Sequence, residues 1–246
     1  MIAALFVDPR GCYAGLDGVE LWDEARDARL YEGPWPVVAH PPCSRWCRLA
    51  GLVEARWGHK KGDDGGCFAS ALASVRRCGG VLEHPAWSDA WAAHDLNAPV
   101  RGQGWSVADN LGGWTCYVEQ GRYGHPAKKA TWLYAIGVDF PQLRWGSDTD
   151  RHSKALVSWC SNHTAAHEKR PRVGKRQASA TPHEFRDILL EMARSAETRR
   201  ANTLSPAGPS VPRELLLERG AGGARLHTDE ESMTCGAGEV NRDFST

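Results

Sequence analysis

The stretch PVVAHPPCSRW, residues 36–46, predicts where a central strand of the fold ends. Residues 37–39 form a short apolar run without polar alternation, which is typical of a strand buried on both faces of a parallel sheet. Pro41 and Pro42 cannot extend a sheet, so we expect the strand to stop before them. Cys43 then lies just past the carboxyl end of that strand, at the edge where open α/β sheets bind ligands.

A second stretch, GVLEHP at residues 80–85, repeats this arrangement. Residues 67–77 lie between the two strands, with apolar side chains at helical spacing and glycines directly after the predicted end. A strand, a helix and a second strand in this order predict a right-handed crossover between parallel strands. If the strands are neighbours, Cys43 and Glu83 face the same crevice.

The remaining elements predict one α/β domain over residues 1–197. Apolar or alternating runs indicate further strands at residues 2–7, 19–23, 114–120 and 131–136, and short helices are expected at 24–31 and 88–94. Thr181 and Glu184 form a capping box, and apolar residues then recur at helical spacing through residues 182–197. From Thr198 onward Pro, Gly, Ser and charged residues dominate, which predicts a mostly disordered tail at 198–246.

Three stretches resemble motifs of the DNA cytosine-5 methyltransferases. Pro41-Pro42-Cys43 is similar to the family's Pro-Cys motif, and Glu83-His84-Pro85 to its Glu-Asn-Val motif. Residues 123–137 resemble the family's Tyr-Gly-x-Pro-Gln-x-Arg-x-Arg block and the strand that follows it. The resemblance covers roughly residues 1–137, with a weaker similarity at 176–194. It implies a Rossmann-like methyltransferase-type sheet, mostly parallel, with a terminal antiparallel hairpin.

The resemblance also implies a covalent mechanism. Cys43 attacks C6 of a pyrimidine as a thiolate, and we expect Arg45 and the backbone amides of the turn to lower its pKa. Glu83 holds the cytosine edge at N3 and the exocyclic amine and supplies a proton during the attack. Lys128 or Lys129 stabilises the O2 side of the base in place of the family's arginines.

The family's cofactor is S-adenosyl-L-methionine, and Trp22-Asp23 resembles the family's second cofactor element. Pro42 is a further expected cofactor contact, and Asp8 with the amides of residues 11–15 would substitute for the family's glycine-rich turn. At the end of the second strand, Asp23 would bond the ribose hydroxyls while Trp22 covers the adenine. An equally weighted alternative is that Asp23 caps the following helix and Trp22 packs in the core. The first strand is followed by Asp8-Pro9, not by the family's glycine-rich turn, and the second strand begins before a helix can form. The sequence therefore predicts weak binding of this cofactor.

Two basic regions predict a DNA partner, although the whole chain has 30 basic and 30 acidic residues and no net charge. Residues 44–66 combine basic and aromatic side chains, and residues 144–180 form a short basic segment where the family inserts its target-recognition domain. The target base must leave a duplex to reach such a pocket, unless the DNA is single-stranded or the substrate is a nucleotide. The alternative for the first region is a solvated loop with a few buried tryptophans. The predicted DNA contacts are Arg45, Arg48, Lys60, Lys61, Arg144, Lys175 and Arg176.

Composition and residue spacing indicate the cellular compartment and whether a metal site is present. The chain has eight cysteines without a repeating spacing, no long apolar run and no secretory pattern at its start, so we expect a cytoplasmic protein with reduced thiols and no membrane span. Cys160, His152, His163 and His167 match no common zinc spacing, and we expect no metal site.

Two rival functions remain open. One is a pyrimidine-modifying enzyme, acting on DNA or a nucleotide, that uses a different donor. The other is a DNA-binding protein that keeps the base pocket without turnover.

Overall fold

The computed structural model describes residues 1–47, 49–146, 153–157 and 170–204, with backbone alone for residues 199–204. Arg48, the four residues considered for zinc and positions 205–246 of the predicted tail lie outside the described residues.

A seven-stranded sheet forms the centre of the fold. Its strands are β1 (Ile2–Leu5), β2 (Val19–Trp22), β3 (Val37–Ala39), β4 (Gly80–Pro85), β5 (Ser106–Val107), β6 (Trp114–Glu119) and β7 (Ala130–Ile136). Their order across the sheet is β2-β1-β3-β4-β7-β6-β5. The α/β class and the predicted strand positions are confirmed.

The prediction of a mostly parallel sheet is wrong, because the sheet is mixed. The pairs β1–β2, β1–β3 and β3–β4 are parallel, whereas β4–β7, β7–β6 and β6–β5 are antiparallel. The connections from β5 to β6 and from β6 to β7 are too short to hold a crossover helix, so these strands must reverse direction. The expected antiparallel pair is present as β6 and β7, and β5 extends it at the sheet edge.

The register of β3 against β4 brings the two predicted active-site ends together. Val37 pairs with Gly80 and Ala39 with Leu82, so His40, the first residue after β3, lies beside Glu83, which is still within β4 and pairs with Leu133 of β7. A Cβ at position 80 would lie 2.0 Å from the carbonyl oxygen of Val37, and the φ of Gly80 is 132°. Glycine is therefore required for this close pairing.

The helices differ from the sequence prediction at several boundaries. They are α1 (Ala50–Trp57), α2 (Cys67–Cys78), α3 (Ala90–Ala93), α4 (Lys175–Ser179) and α5 (His183–Leu204). The predicted crossover helix is confirmed as α2. The predicted helix over 24–31 is wrong, since only a 3₁₀ turn, Ala28–Leu30, forms there. The first basic region contains α1, and α5 continues seven residues into the predicted tail.

Helices cover both faces of the sheet. On one face α2 buries Phe68, Leu72 and Val75 in a core cluster. On the other face α5 buries Phe185, Leu189 and Met192 against β1, β3 and β4, which confirms the predicted amphipathic helix. With both faces covered, ligands reach the central strands at the strand ends. In the described ranges, no helix has the length and apolar character needed to cross a membrane.

Candidate active site

A cavity of about 580 Å³ opens at the carboxyl ends of β1, β3 and β4. The turn after β1 forms one wall, the segment after β3 a second, and the junction of α4 and α5 a third. Cys43 and Glu83 both line it, as expected from their places after neighbouring parallel strands. Its lining residues are Phe6, Val7, Asp8, Arg10, Gly11, Cys12, Tyr13, His40, Pro41, Pro42, Cys43, Glu83, Pro85, Arg176, Ser179, Ala180, Thr181 and His183.

Cys43 is a partly exposed free thiol at the cavity wall. Burial raises its pKa, and the carboxylate of Glu83 and the thiol of Cys47 raise it further. The backbone amide of Cys43 and the charge of Lys129 offset this only in part. The prediction that the pKa of Cys43 is lowered is therefore wrong, because burial beside a carboxylate outweighs the nearby positive groups. The resting thiol is protonated, and nucleophilic attack requires a proton acceptor.

Glu83 is a buried carboxylate, 7% exposed, held by hydrogen bonds from three sides. Its Oε2 lies 3.0 Å from Nδ1 of His40. Its Oε1 accepts hydrogen bonds from Nε2 of Gln120 at 2.8 Å and from the Thr131 hydroxyl at 3.3 Å. Gln120 and Thr131 are fully buried beyond β6 and on β7, so the antiparallel half of the sheet fixes the carboxylate.

The charge state of Glu83 follows from opposing effects. Burial raises the pKa of this carboxyl. The positive charge of Lys129, the hydrogen bond and charge of His40 and the charge of His84 outweigh that effect and bring the pKa to about 2. Glu83 is therefore ionised at neutral pH and acts only as a hydrogen-bond acceptor.

A hydrogen-bonded chain leads from Glu83 to the turn after β1. Nε2 of His40 lies 2.9 Å from the hydroxyl of Tyr13, and both residues line the cavity. Burial raises the pKa of Tyr13 well above its usual value, so the phenol stays protonated. Sequence reasoning missed Tyr13, Gln120 and Thr131 as site residues. Their one sequence signal is a polar side chain next to a predicted strand end, which many structural residues share.

The two predicted catalytic lysines separate in the structure. Nζ of Lys129 donates to the carbonyl oxygens of Ser179 and Ala180, at 3.2 and 2.8 Å, and both of those residues line the cavity. Nζ of Lys128 lies 3.4 Å from Oε1 of the buried Glu119. Lys129 has a φ of 40°, in the left-handed region that is costly for a residue with a side chain. Lys129 acts electrostatically on both Glu83 and Cys43.

His84 and His125, the histidines beside the other two motifs, have a structural role. His84 is fully buried between Phe68 and Trp91, and burial lowers its pKa to about 4 despite the charge of Glu83 and the nearby Pro42 carbonyl. His125 is held between Ala127 and the carbonyl oxygen of Gln177. Both rings pack or brace neighbouring segments.

The predicted cofactor residues do not converge. Asp8 and Pro42 line the cavity, and Asp8 accepts a hydrogen bond from the backbone N–H of Arg10 at 2.9 Å. Asp23 instead accepts from the backbone N–H of Arg26 at 3.0 Å, and the Arg26 guanidinium covers the Trp22 ring at 4.0 Å. The Asp23 carboxylate accepts this bond within a turn, and the helix that the capping alternative required does not form, because only the 3₁₀ turn Ala28–Leu30 follows, with Asp27 as its cap. The residues present do not fit the adenosine half of S-adenosyl-L-methionine.

The predicted DNA contacts occupy different surroundings. Arg176 is exposed and lines the cavity, and Lys60 and Lys175 are exposed elsewhere. Lys61 pairs with Asp89 at 2.6 Å, and Arg144 pairs with Glu184. Arg45 is half-buried. Arg176 is thus the predicted contact that the described structure places at the site.

The first basic region contains both buried and exposed large apolar side chains. Trp46 is buried, and its Nε1 donates to Asp64 at 2.7 Å. Leu49, Leu52 and Trp57, on or next to α1, are each at least half exposed.

Among the residues that the structure describes, no group of three or more His, Cys, Asp or Glu residues is arranged to hold a metal ion.

No protein-family model matches the chain, and searches of curated proteins and of solved structures found no significant match.

Replacing Lys129 with Met should raise the pKa of Glu83 above its value of about 2, because the main positive charge acting on the carboxylate is lost. Carbon-13 NMR titration of the Glu83 carboxyl, assigned with Glu83→Gln, measures this. Since the folded pKa lies below the ordinary 4.5, the stability contributed by the ionised carboxyl is present above pH 4.5 and is lost as the pH falls through about 2.

Lys128→Met is the matched control for this titration, because Lys128 lies against Glu119. Its Glu83 signal should titrate as in the unmodified protein. An unchanged Glu83 titration in Lys129→Met, or an equal shift in both variants, would show that Lys129 does not control the carboxylate.

Proposed function

We propose that this protein modifies a cytosine base of DNA through a covalent adduct between Sγ of Cys43 and C6 of the base. The observation that carries the proposal is the shared cavity, in which a thiol that follows β3 lies with a buried, ionised carboxylate of the neighbouring parallel strand β4. These are the two groups that addition to a cytosine ring needs: a nucleophile for C6 and a partner for the N3–N4 edge.

A Rossmann-like methyltransferase-type sheet is part of this proposal. It is supported by four parallel strands, of which β1, β3 and β4 border the cavity at their carboxyl ends, and by the antiparallel pair β6–β7 beyond them. Helices α2 and α5 on opposite faces give the layering expected of a doubly covered sheet. The agreement of the three motif stretches with their expected elements adds to this support.

The covalent step conserves atoms and electrons as follows. The Cys43 thiol loses its proton to solvent or a nearby base, and the sulfur lone pair forms the C6–S bond. The C5=C6 π pair moves to C4–C5, the C4=N3 pair moves onto N3, and N3 takes a proton. The enamine carbon C5 can then react with an electrophile or a solvent proton. Loss of the original C5 proton to solvent, departure of the thiolate and return of the N3 proton restore the neutral aromatic base.

Glu83 gives the site a preference for cytosine. As a carboxylate it accepts a hydrogen bond from the 4-amino group of cytosine. Uracil and thymine have a carbonyl oxygen at C4 instead of the amino group, and this oxygen cannot donate a hydrogen bond to the carboxylate. Loss of the hydrogen bond from the 4-amino group costs about 1 kcal/mol, although the N3–H of uracil or thymine can still donate to the carboxylate.

A DNA substrate is supported by the cavity mouth. Arg176 at the rim is an exposed cation positioned to contact a phosphate of the strand that carries the base. A base inside a stacked duplex does not reach the cavity, so the target is single-stranded or leaves the stack. The group donor is not part of the proposal, because Trp22 and Asp23 are engaged with Arg26.

One observation favours a second candidate, a base-binding protein without turnover. The pKa of Cys43 is raised, which lowers the thiolate fraction available for attack. Such a protein would keep cytosine recognition by Glu83 and lose the covalent step.

Exchange of the C5 hydrogen separates the enzyme from the binding protein without a known donor, because the adduct makes C5 exchangeable. The protein should release tritium to water from an oligonucleotide containing 5-tritiated cytosine, and Cys43→Ala should abolish the release. Cys12→Ala, which changes the other thiol of the cavity, should still release tritium. No release by the unmodified protein would contradict the covalent function.

The affinity for a cytosine-containing single strand should fall steeply with salt, since each neutralised phosphate releases counterions. Arg176→Ala should reduce the slope of log K against log salt by about 0.7, the value of one contact on a single strand. Arg194→Ala, an exposed arginine of α5 that does not line the cavity, is the control and should leave the slope unchanged. A salt-independent affinity, or tighter binding of a mononucleotide, would exclude DNA as the partner.

A further inference from the structure

The carboxylate that contacts the base does not itself hold the proton that the base requires. Addition at C6 places an electron pair on N3, which must be protonated as the C–S bond forms. Glu83 has a pKa of about 2 and is ionised before the base arrives. Its Oε1 already accepts hydrogen bonds from Gln120 and Thr131, neither of which is acidic. The proton must come from a titratable group in contact with the carboxylate.

His40 is the titratable group with that contact. Its Nδ1 lies 3.0 Å from Oε2 of Glu83, and its Nε2 lies 2.9 Å from the Tyr13 hydroxyl. Its side chain is 13% exposed and lines the cavity, so the ring is held by two partners and still exchanges protons with solvent there. The register of β3 and β4 places it beside Glu83, and the turn after β1 supplies Tyr13.

We infer that Tyr13, His40 and Glu83 form a proton relay, in which the imidazolium of His40 supplies through Glu83 the proton that N3 takes up during attack by Cys43. The inference rests on the proposed function. Before the attack, His40 donates Nδ1–H to Glu83 and Nε2–H to the oxygen of Tyr13. During the attack, the Nδ1 proton moves to the carboxylate and on to N3, and the ring is left as the neutral Nε2–H tautomer. Solvent in the cavity returns the proton.

Tyr13 fixes the tautomer. Its phenol is protonated, so its oxygen accepts from Nε2–H of the imidazolium and of the neutral ring that remains after transfer. The proton lost is therefore the one on Nδ1, which faces the carboxylate. His40 acts through Glu83 and is a positioning residue in this reaction.

Charged and titratable groups from every neighbouring element face this relay. Glu83 and Lys129 border the relay from the side of β4 and β7. Cys43 lies on the same segment as His40, after β3. The turn after β1, the α4–α5 junction and α5 contribute Asp8, Arg10, Cys12, Tyr13, Arg176, His183, Arg186 and Asp187. His84 of β4 also acts on Glu83. The pH dependence must therefore be assigned by comparing variants.

Release of tritium from the 5-tritiated oligonucleotide, measured between about pH 5 and 10, tests the relay. The rate of the unmodified protein should pass through a maximum, because it needs a deprotonated thiol and a protonated imidazole. His40→Asn keeps an amide N–H near the Nδ1 position but cannot titrate. It should be slower by roughly 10²-fold or more at neutral pH, the usual contribution of general acid catalysis. Its rate should rise steadily with pH, without the falling limb.

His40→Ala separates relay from orientation, since it removes the hydrogen bond to Glu83 as well. If His40→Ala is slow while His40→Asn keeps the rate and the pH profile of the unmodified protein, then His40 only orients the carboxylate. That result would overturn the relay. Should His40→Asn fail to fold, His40→Gln, whose amide reaches the Nε2 position beside Tyr13, is compared in the same way. If the unmodified protein releases tritium, a negative result with the His40 variants contradicts the relay alone and leaves the proposed function in place. Absence of release overturns the proposed function and the relay together.

Discussion

The pairing of β3 with β4 is the constraint on which the site depends. These two short strands run parallel in one register, with Val37 opposite Gly80 and Ala39 opposite Leu82. Because the register is fixed by buried side chains on both faces, a slip of one residue would place Val38 or Val81 in the wrong core cluster. This register therefore determines the relative positions of Cys43 and Glu83.

A buried carboxylate at this position is expensive unless it is paired, with an uncompensated cost of several kcal/mol. The fold compensates Glu83 from three elements: His40 after β3, Gln120 after β6 and Thr131 on β7. The antiparallel half of the sheet therefore has a role beyond closing the core, since it supplies two of the hydrogen bonds that keep the anion inside. The same anion beside Cys43 raises the pKa of the thiol. One electrostatic arrangement thus keeps the carboxyl of Glu83 ionised and the thiol of Cys43 protonated.

The sequence predicted much of the local structure. Proline after a β-branched run marks a strand end from local chemistry alone, so β3, β4, Cys43 and Glu83 were identified with their shared cavity. The helical periodicity of residues 67–77 and 182–197 likewise located α2 and most of α5. Predictions that depended on the direction in which a side chain points, and on burial, failed more often. Whether Trp22 is open or covered depends on Arg26 folding back over it, and whether Lys128 or Lys129 serves the site depends on the backbone turn between them. The pKa of Cys43 depends on burial, which no neighbour in the sequence reveals.

The most direct test of the account is to map a covalent adduct. The protein is incubated with an oligonucleotide carrying 2-pyrimidinone, an electrophilic base analogue that forms the C6 adduct without any group donor, and the product is digested and sequenced by mass spectrometry. We expect one modified peptide, with the nucleotide on Cys43. Cys12 is an internal competitor, because its thiol lines the same cavity without lying at the end of β3 or β4. An unmodified protein, or a nucleotide attached to Cys12, would contradict the assignment of Cys43 as the nucleophile.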